Sequence, residues 1–284
     1  MHTAIQHPAL RYHGAKFRLA PWLINQFPTH RCYVEPFGGA AGVLLQKPRA
    51  YAEVYNDLDG EIVNFFRVLR DPAQSKELLA QLELTPYART EFNLSYEPTD
   101  DPVEGARRTA IRACMGFGSA GATKGQTGFR CDTARAYSTA QHLWARYPAS
   151  LQPVIERLQG VLIENKPALD VIRQHDADDT LHLVDPPYLH ETRVLQGAGS
   201  KGYYRHEMSD QDHLELLATL REAKGMVILC GYPSELYDAN LPGWATASRS
   251  ARISAGRGTG LRTEQIWINP AAAKAQPSQQ LLIA

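Results

Sequence analysis

Short apolar runs alternate with segments of helical periodicity along most of this 284-residue chain. Apolar runs that end at Gly, Pro, Asn or Asp are typical of buried strands, and strands alternating with helices predict a mostly parallel sheet flanked by helices. The predicted strands are residues 32–35, 51–55, 161–164, 180–184, 226–230, 241–248 and 265–268. We therefore expect an α/β fold, whose ligands bind where the strands end.

A polar side chain lies at, or just beyond, the carboxyl end of four predicted strands. These residues are Glu35, Asp57, Asn165 and Asp185. The carboxyl ends of parallel strands meet at one edge of a sheet, and independent turns would not repeatedly place polar groups there. The pattern therefore predicts a single site built from residues that lie far apart in the sequence.

The first of these strands continues into a glycine-rich turn, P-F-G-G-A-A-G, at residues 36–42, and a helical segment is predicted at 43–45. Strand, glycine-rich turn and helix form a nucleotide-binding arrangement, in which glycines let a ligand approach the backbone. Asp57, some twenty residues beyond the turn, is where a ribose-binding acid is expected. Asp57 could instead cap the helix at 60–69, although Asp59 is suited to that task.

The spacing of apolar residues predicts further helices, and glycine and proline residues indicate further loops. Predicted helices are residues 18–27, 60–69, 71–84, 104–114, 151–158, 168–175 and 209–220. The run R-Y-H-G-A-K at 11–16 precedes the first helix and suits an anion or carboxylate cradle. Residues 86–102 are expected to be irregular, 115–130 a long functional loop, 190–205 a mobile lid, and the chain from Asn269 onward a disordered tail.

Composition narrows the class of protein. The chain carries 30 basic and 30 acidic residues, with 44% hydrophobic residues, which is typical of a soluble globular protein. We expect neither a membrane span nor a secretory signal. The four cysteines are scattered, so we expect a cytoplasmic protein without a metal site or disulfide framework.

The charges are unevenly distributed along the chain. Residues 71–105 are mostly acidic, whereas 106–146 contain seven basic residues and one acid, and 247–262 contain four arginines and no acid. Basic segments with interleaved aromatic residues suit contact with a nucleic-acid backbone. The alternative is that the arginines are solvated or pair with the acidic segment. The candidate DNA-binding residues are Arg107, Arg108, Arg112, Lys124, Arg130 and Arg135.

The strand at 180–184 is followed by the run Asp185-Pro186-Pro187-Tyr188. This run resembles the catalytic motif of DNA amino-methyltransferases, in the version beginning with Asp that is usual in adenine-specific enzymes. Together with R-Y-H-G-A-K at 11–16 and V-E-P-F-G-G-A-A-G at 34–42, in that order, it makes residues 11–269 resemble Dam-type N(6)-adenine DNA methyltransferases. The stretches at 204–208 and 231–237 are similar to members found in phages and prophages.

The resemblance implies a Rossmann-like S-adenosylmethionine-dependent methyltransferase fold with an inserted target-recognition region. The catalytic domain would comprise residues 1–70 and 151–269, the insertion 71–150, and a disordered tail 270–284. The implied cofactor is S-adenosylmethionine, without a metal, and the implied partner is double-stranded DNA. A partner restriction endonuclease, the recognised DNA sequence and the oligomeric state are left open.

Roles for individual residues are likewise implied by the resemblance. The cofactor would be bound by Tyr12, Gly14, Lys16, Glu35, Phe37, Gly38, Gly39, Asp57, Asn165 and Asp185. In this assignment Lys16 meets the cofactor carboxylate and Asp57 its ribose. The catalytic residues would be Asp185, Pro186, Pro187 and Tyr188, which hold an adenine flipped out of the duplex.

The sequence departs from the family pattern at three positions. Alanine stands at Ala15 and Ala41, where relatives often have glycine, and Asn165 stands where many have Asp. The sequence also leaves other functions open. They are an RNA adenine methyltransferase, an enzyme acting on the cytosine amine, a catalytically silent DNA-binding protein, and a general nucleotide-binding domain.

Overall fold

The computed structural model describes residues 5–118, 121–123, 125–131, 133, 138–193, 204–255 and 258–276, without the side chains of 251–261. These residues form a seven-stranded sheet. Its strands are β1 (Cys32–Glu35), β2 (Ala52–Asn56), β3 (Val161–Glu164), β4 (Thr180–Val184), β5 (Met226–Gly231), β6 (Ala245–Ala255) and β7 (Gly258–Ile268). The first five strands match the predicted positions to within one residue. The prediction for β6 was displaced, because β6 begins at Ala245 and not at residue 241 and continues to Ala255, and β7 begins seven residues earlier than predicted.

The strand order is β3-β2-β1-β4-β5-β7-β6. Neighbours among β1 to β5 are parallel, and β7 is antiparallel to both β5 and β6. This is a Rossmann-like methyltransferase fold, as expected. β4 and β5 are buried along their whole length, which is typical of central strands covered on both faces.

Helices flank the sheet within the described residues. They are α1 (Ala20–Ile24), α2 (Gly60–Arg70), α3 (Pro72–Leu84), α4 (Arg89–Leu94), α5 (Pro102–Met115), α6 (Ala140–Leu158), α7 (Ala168–Gln174), α8 (Asp210–Glu222), α9 (Glu235–Asn240) and α10 (Pro270–Ala275), with a short 3-10 helix at His190–Thr192. None of these helices is long and apolar enough to cross a membrane.

Side-chain caps explain where the longer helices begin. Asp59, Asp71 and Asp101 accept hydrogen bonds from first-turn amides of α2, α3 and α5. Ser209 and Asp212 form a reciprocal capping box at the start of α8. Such caps satisfy amides that have no partner within the helix, and each contributes about 1 kcal/mol.

Four local predictions were wrong. The expected irregular region contains α4, and α6 begins at Ala140 and continues through Pro148 and Pro153. The expected disordered tail begins with α10, which Asn269 caps; residues 277–284 lie outside the described part. The predicted helical segment 43–45 consists of turns. Two helix-like hydrogen bonds are nevertheless present, from the Leu45 amide to the Ala41 carbonyl and from the Lys47 amide to the Val43 carbonyl.

The helices between β2 and β3 share one hydrophobic core with the sheet. Leu78, Ile111 and Leu151 from α3, α5 and α6 belong to the same buried cluster as Tyr33 and Tyr55 from the sheet. The predicted insertion, 71–150, is therefore packed onto the catalytic part through apolar contacts. Its role as a separate recognition unit stays a prediction.

Candidate active site

A cavity of about 300 Å³ opens at the carboxyl edge of the sheet. It is lined by residues of all three sequence motifs, at 12–16, 35–43 and 185–187, and by residues after β2 and β3. The polar residues predicted at strand ends lie where expected: Glu35 ends β1, and Asp57, Asn165 and Asp185 directly follow β2, β3 and β4. Parallel pairing thus brings together segments more than 150 residues apart.

The glycine-rich turn is fastened to the end of β2. The Gly38 amide donates to the Asn56 carbonyl over 2.7 Å, and the Gly39 amide donates to Asp57 Oδ2 over 2.8 Å. A Cβ atom at Gly38 would lie 2.3 Å from the Tyr55 ring. The absence of a side chain at Gly38 is therefore what allows the turn to lie this close to the sheet.

Ala41 takes a left-handed backbone conformation, with φ of 54°. The family pattern has glycine here, and glycine adopts that conformation without strain. Alanine is small enough to adopt it at a cost of about 1 kcal/mol. The departure from the family pattern at Ala41 therefore leaves the turn in a glycine-like conformation.

Asp57 faces the cavity with its carboxylate held by two backbone amides. Oδ2 accepts from Gly39, and Oδ1 accepts from Asp59 over 2.9 Å. Burial raises the pKa of Asp57 above its ordinary value. The N-cap of α2 is Asp59, whose Oδ1 accepts from the Glu61 amide, as the sequence favoured. The remaining lone pairs of Asp57 can therefore accept hydrogen bonds from a ligand.

Glu35 is the second acid of the cavity, and it is only 4% exposed. Its Oε1 accepts from the Tyr33 hydroxyl and from the Leu44 amide, each over 2.7 Å. Burial raises the pKa of Glu35 to about 7. The carboxylate is thus poised to change charge near neutral pH, and a bound cation would favour its ionised form.

Lys16 forms an ion pair with Asp185, with Nζ 2.9 Å from Oδ1. The same ammonium donates to the Gly14 carbonyl over 3.0 Å, and it lies 4.7 Å from the centroid of the Tyr188 ring. Burial opposes the charge of Lys16, but Asp185 and then Glu264 outweigh burial and raise its pKa. The first and third sequence motifs are therefore joined by a buried charge pair, which the sequence did not indicate.

Tyr188 lies beside the cavity but does not line it. Its hydroxyl donates to Glu264 Oε2 over 2.8 Å, and its ring contacts Tyr232 edge-on with centroids 4.7 Å apart. Asp185 and Pro187 line the cavity, whereas Pro186 is buried behind them. The four residues predicted to be catalytic thus lie at one corner of the site.

Asn165 is the one predicted cofactor residue that does not line the cavity. Its side-chain amide donates to the Asp57 carbonyl over 2.7 Å, so Asn165 supports the segment that carries Asp57. The other predicted cofactor residues, Tyr12, Gly14, Lys16, Glu35, Phe37, Gly38, Gly39, Asp57 and Asp185, all line it.

Residues 204–208 also line the cavity, and the sequence placed only the first two of them beside the site, as the end of a predicted lid. The Tyr204 ring lies 6.4 Å from that of Tyr12, and a Cβ at Gly14 would lie 2.2 Å from the Tyr204 hydroxyl. Arg205 donates to Glu61 over 2.6 Å. The predicted lid at 190–205 overlaps this segment by two residues, and residues 194–203 lie outside the described part.

The basic residues predicted to bind DNA are mostly engaged within the protein. Arg107 pairs with Glu91 and Glu104, and Arg108 pairs with the same Glu104. Arg112 is 5% exposed and pairs with Glu61, and Arg130 is 6% exposed. Lys124 and Arg135 lie outside the described residues.

The alternative in which the arginines pair with the acidic segment 71–105 thus applies to Arg107 and Arg108, whereas Arg112 pairs with Glu61 of α2, outside that segment. Contact of the predicted cations with DNA stays a prediction. Among the described residues no group of three or more His, Cys, Asp or Glu side chains is arranged to hold a metal ion.

An α/β sheet with a glycine-rich turn after β1, an acid directly after β2 and the run D-P-P-Y after β4 is the arrangement that the sequence resemblance implies for an amino-methyltransferase. The sequence model of the family described as D12 class N6 adenine-specific DNA methyltransferase matches residues 12–234. The chain belongs to this family and is an adenine-specific DNA methyltransferase. Membership implies S-adenosylmethionine as methyl donor and DNA as substrate.

No curated protein matches the chain. Among solved structures, the chain is similar to the precorrin 8w decarboxylase of Methanobacterium thermoautotrophicum, with 11% identity and a TM-score of 0.33 over 93% of this chain and 95% of that one. A similarity of this size does not bear on function.

Proposed function

We propose that this enzyme transfers a methyl group to the exocyclic 6-amine of an adenine extruded from duplex DNA. In this proposal the cofactor occupies the cavity under the glycine turn, and Asp185, Pro186 and Tyr188 hold the adenine. The observation that carries the proposal is the ion pair between Lys16 and Asp185. It joins the wall of the cavity to the D-P-P-Y corner, as a reaction between two bound molecules requires.

The groups around the cavity fit S-adenosylmethionine. Asp57 has acceptor capacity left for ribose hydroxyls, and Glu35 can accept from the methionine ammonium. Lys16 has three N–H groups, of which one faces Gly14 and one faces Asp185, so the third can meet the cofactor carboxylate. When bound, the cofactor supplies a methyl group on a sulfonium centre, which is electrophilic.

The D-P-P-Y corner has to make a poor nucleophile reactive. The lone pair of the 6-amine is delocalised into the adenine ring. Lys16 holds Asp185 by Oδ1, which leaves Oδ2 to accept an N–H of the amine, and the Pro186 carbonyl can accept the other. Two such hydrogen bonds favour a tetrahedral nitrogen and localise the lone pair, and Tyr188 stacks on the base. Positioning then supplies most of the rate, because no covalent intermediate forms.

The adenine must leave the duplex to reach this corner, at a cost of a few kcal/mol. We assign the holding of the duplex to the helical region 71–150. Of its predicted cations, Arg107, Arg108 and Arg112 are paired with acids and should contribute little, which leaves Lys124, Arg130 and Arg135 as the candidates for phosphate contact. We also place the enzyme in the cytoplasm. These assignments rest on family resemblance and on charge distribution.

The test is methyl transfer from labelled S-adenosylmethionine to unmethylated plasmid DNA and to RNA transcribed from it, with identification of the modified nucleoside. We expect N6-methyladenine in the DNA only. Asp185→Ala should abolish transfer while retaining the fold. Asp178→Ala is the matched control, because this aspartate is exposed just before β4 and should leave transfer unchanged.

Other outcomes would overturn the proposal in distinct ways. Methylation of the RNA alone would change the substrate. Full transfer by Asp185→Ala would remove the D-P-P-Y corner from the mechanism. Cofactor binding without transfer to either nucleic acid would identify a silent member of the family.

A further inference from the structure

Glu264 is a buried acid at the catalytic edge that belongs to none of the sequence motifs. It lies on β7, and its neighbour Gln265 pairs with Gly231 at the end of β5. Glu264 therefore sits one residue beyond the last pairing of β5, where the hairpin of β6 and β7 continues past the sheet. Only 8% of Glu264 is exposed, and burying a carboxylate is costly unless the carboxylate has partners.

The partner of Glu264 is the aromatic residue of the D-P-P-Y corner. The Tyr188 hydroxyl donates to Glu264 Oε2 over 2.8 Å. Burial, together with Asp185 and Glu264, raises the pKa of Tyr188 well above its ordinary value, so the hydroxyl keeps its proton and remains a donor. A hydrogen bond to a charged acceptor contributes more than one between neutral groups.

This hydrogen bond fixes the remaining freedom of the Tyr188 ring. The ring lies under the Lys16 ammonium, with 4.7 Å between Nζ and the ring centroid, and the edge-on contact with Tyr232 restrains it from another direction. Anchoring the hydroxyl at the far end of the ring then sets its tilt. A ring with a fixed tilt presents a defined face to a base, whereas a loosely held ring does not.

We propose that Glu264 is a positioning residue for methyl transfer: its carboxylate holds the Tyr188 hydroxyl and so sets the plane on which the extruded adenine stacks. This inference rests on the proposed function, because it presupposes that Tyr188 receives the adenine. It adds to the site a residue of the antiparallel strand β7.

The variants that test the proposal are Glu264→Leu, Glu264→Gln, Tyr188→Phe and the double variant Glu264→Leu with Tyr188→Phe. Leucine removes the acceptor, glutamine keeps an acceptor oxygen, and phenylalanine removes the donor but keeps the ring. Thr263→Val is the control, because Thr263 precedes Glu264 on β7 and is exposed. Single-turnover transfer to unmethylated plasmid DNA gives the rate, and titration gives the cofactor affinity.

We expect Glu264→Leu to slow single-turnover transfer about tenfold to thirtyfold, the effect of losing one charge-assisted hydrogen bond. Tyr188→Phe should slow it similarly, and the double variant should be no slower than either single one, because both remove the same bond. Glu264→Gln should recover most of the rate. Cofactor affinity should stay within about twofold of wild type in all of them, since this contact lies outside the cavity.

A second readout follows the base itself. The methylated site is first mapped with wild-type enzyme, and a duplex then carries 2-aminopurine in place of the target adenine. Stacking on tyrosine quenches this probe, so the bound duplex should be brighter with Glu264→Leu than with wild type, and glutamine should restore quenching. A purely structural role for Glu264 would lower stability without changing the quenching.

The failure of this inference can be told apart from failure of the proposed function. Wild-type transfer together with a fully additive double variant, or with an unaffected Glu264→Leu, would overturn only the role of Glu264. Loss of the proposed function would appear in wild type and Asp185→Ala before any Glu264 variant is compared. If Glu264→Leu does not fold, Tyr188→Phe at the wild-type rate with normal quenching would overturn the inference.

Discussion

Two charged regions of this protein use their charges in different ways. At the carboxyl edge of the sheet, Asp57 and Glu35 face a cavity with acceptor capacity left over. Along α5, Arg107 and Arg108 share Glu104, and Arg112 reaches Glu61. The carboxylates at the edge of the sheet can still accept hydrogen bonds from a ligand, whereas the arginines of α5 form ion pairs that connect helices.

The difference shows that the position of a charged residue in the fold indicates its role better than the number of charges in a segment does. The carboxyl ends of parallel strands all lie at the same edge of the sheet, so a polar residue at such an end indicates a ligand-binding site. A run of arginines has no fixed orientation, and acids spaced three or four residues away on a helix neutralise it. Experiments that separate catalysis from stability can sharpen or break this comparison.

The largest effect should come from Lys16→Met compared with Lys47→Met. Both lysines are buried in ion pairs, Lys16 with Asp185 and Lys47 with Glu53 over 2.8 Å. Without Lys16, Asp185 loses its cation and takes up a proton, so single-turnover transfer should fall about 100-fold or more. Lys47→Met should cost about 2 kcal/mol of stability, because Arg157 still pairs with Glu53, and should leave the rate of folded enzyme within about twofold.

Rapid-quench kinetics measures the single-turnover rate of each variant, and urea unfolding measures its stability. If replacement of Lys16 raises only the KM for the cofactor while kcat stays unchanged, Lys16 serves the cofactor carboxylate alone and its pair with Asp185 does not contribute to transfer.

A smaller effect concerns the pH dependence of stability, which should have opposite signs in the two regions. Burial raises the pKa of Glu35 to about 7, so the folded state holds its proton more tightly than the unfolded state. The contribution of Glu35 to the free energy of unfolding is therefore complete below about pH 4.5 and is lost as the pH rises through about 7. Between pH 5 and pH 8 this loss amounts to about 2 kcal/mol. Burial opposes ionisation of Glu104, but Arg107 and Arg108 lower its pKa, so its contribution is present at neutral pH and declines in acid.

Urea unfolding of Glu35→Gln, Glu104→Gln and wild type, without cofactor, checks these signs. Relative to Glu35→Gln, wild type should lose stability from pH 5 to pH 8. Relative to Glu104→Gln, wild type should lose stability as pH falls toward 4. Parallel curves for wild type and Glu35→Gln would mean that Glu35 titrates normally and that the cavity is better hydrated than its burial indicates.

Much of this could be predicted from the sequence, for identifiable reasons. Strand boundaries at Cys32–Glu35 and Val161–Glu164 followed from short apolar runs with clear stops. The Lys16–Asp185 pair and the Tyr188–Glu264 bond join residues far apart in the chain without a local signal. The pairing of Arg107 and Arg108 with Glu104 did have a signal, because helical spacings of three and four place these side chains side by side.

The smallest effect tests the arginines of α5 as DNA ligands. Removing one phosphate contact lowers the salt dependence of binding by about one ion. Because Arg107 and Arg108 are held by Glu104, Arg108→Ala should change that slope by much less, and should cost less than about 1 kcal/mol of stability. Arg249 is exposed on β6 and lies opposite Glu264 of β7, so Arg249→Ala should lower the slope by about one.

Fluorescence anisotropy of a labelled duplex across a range of salt concentrations gives the slopes, and Glu104→Gln is the informative control. If Glu104 holds the arginines away from DNA, its replacement frees them, and binding should tighten at low salt with a steeper slope. If Arg108→Ala instead lowers the slope by a full ion, the guanidinium group contacts phosphate despite its pairing. The basic run at 106–146 would then be both a structural brace and a DNA-binding surface, and the two regions would differ less than their contacts indicate.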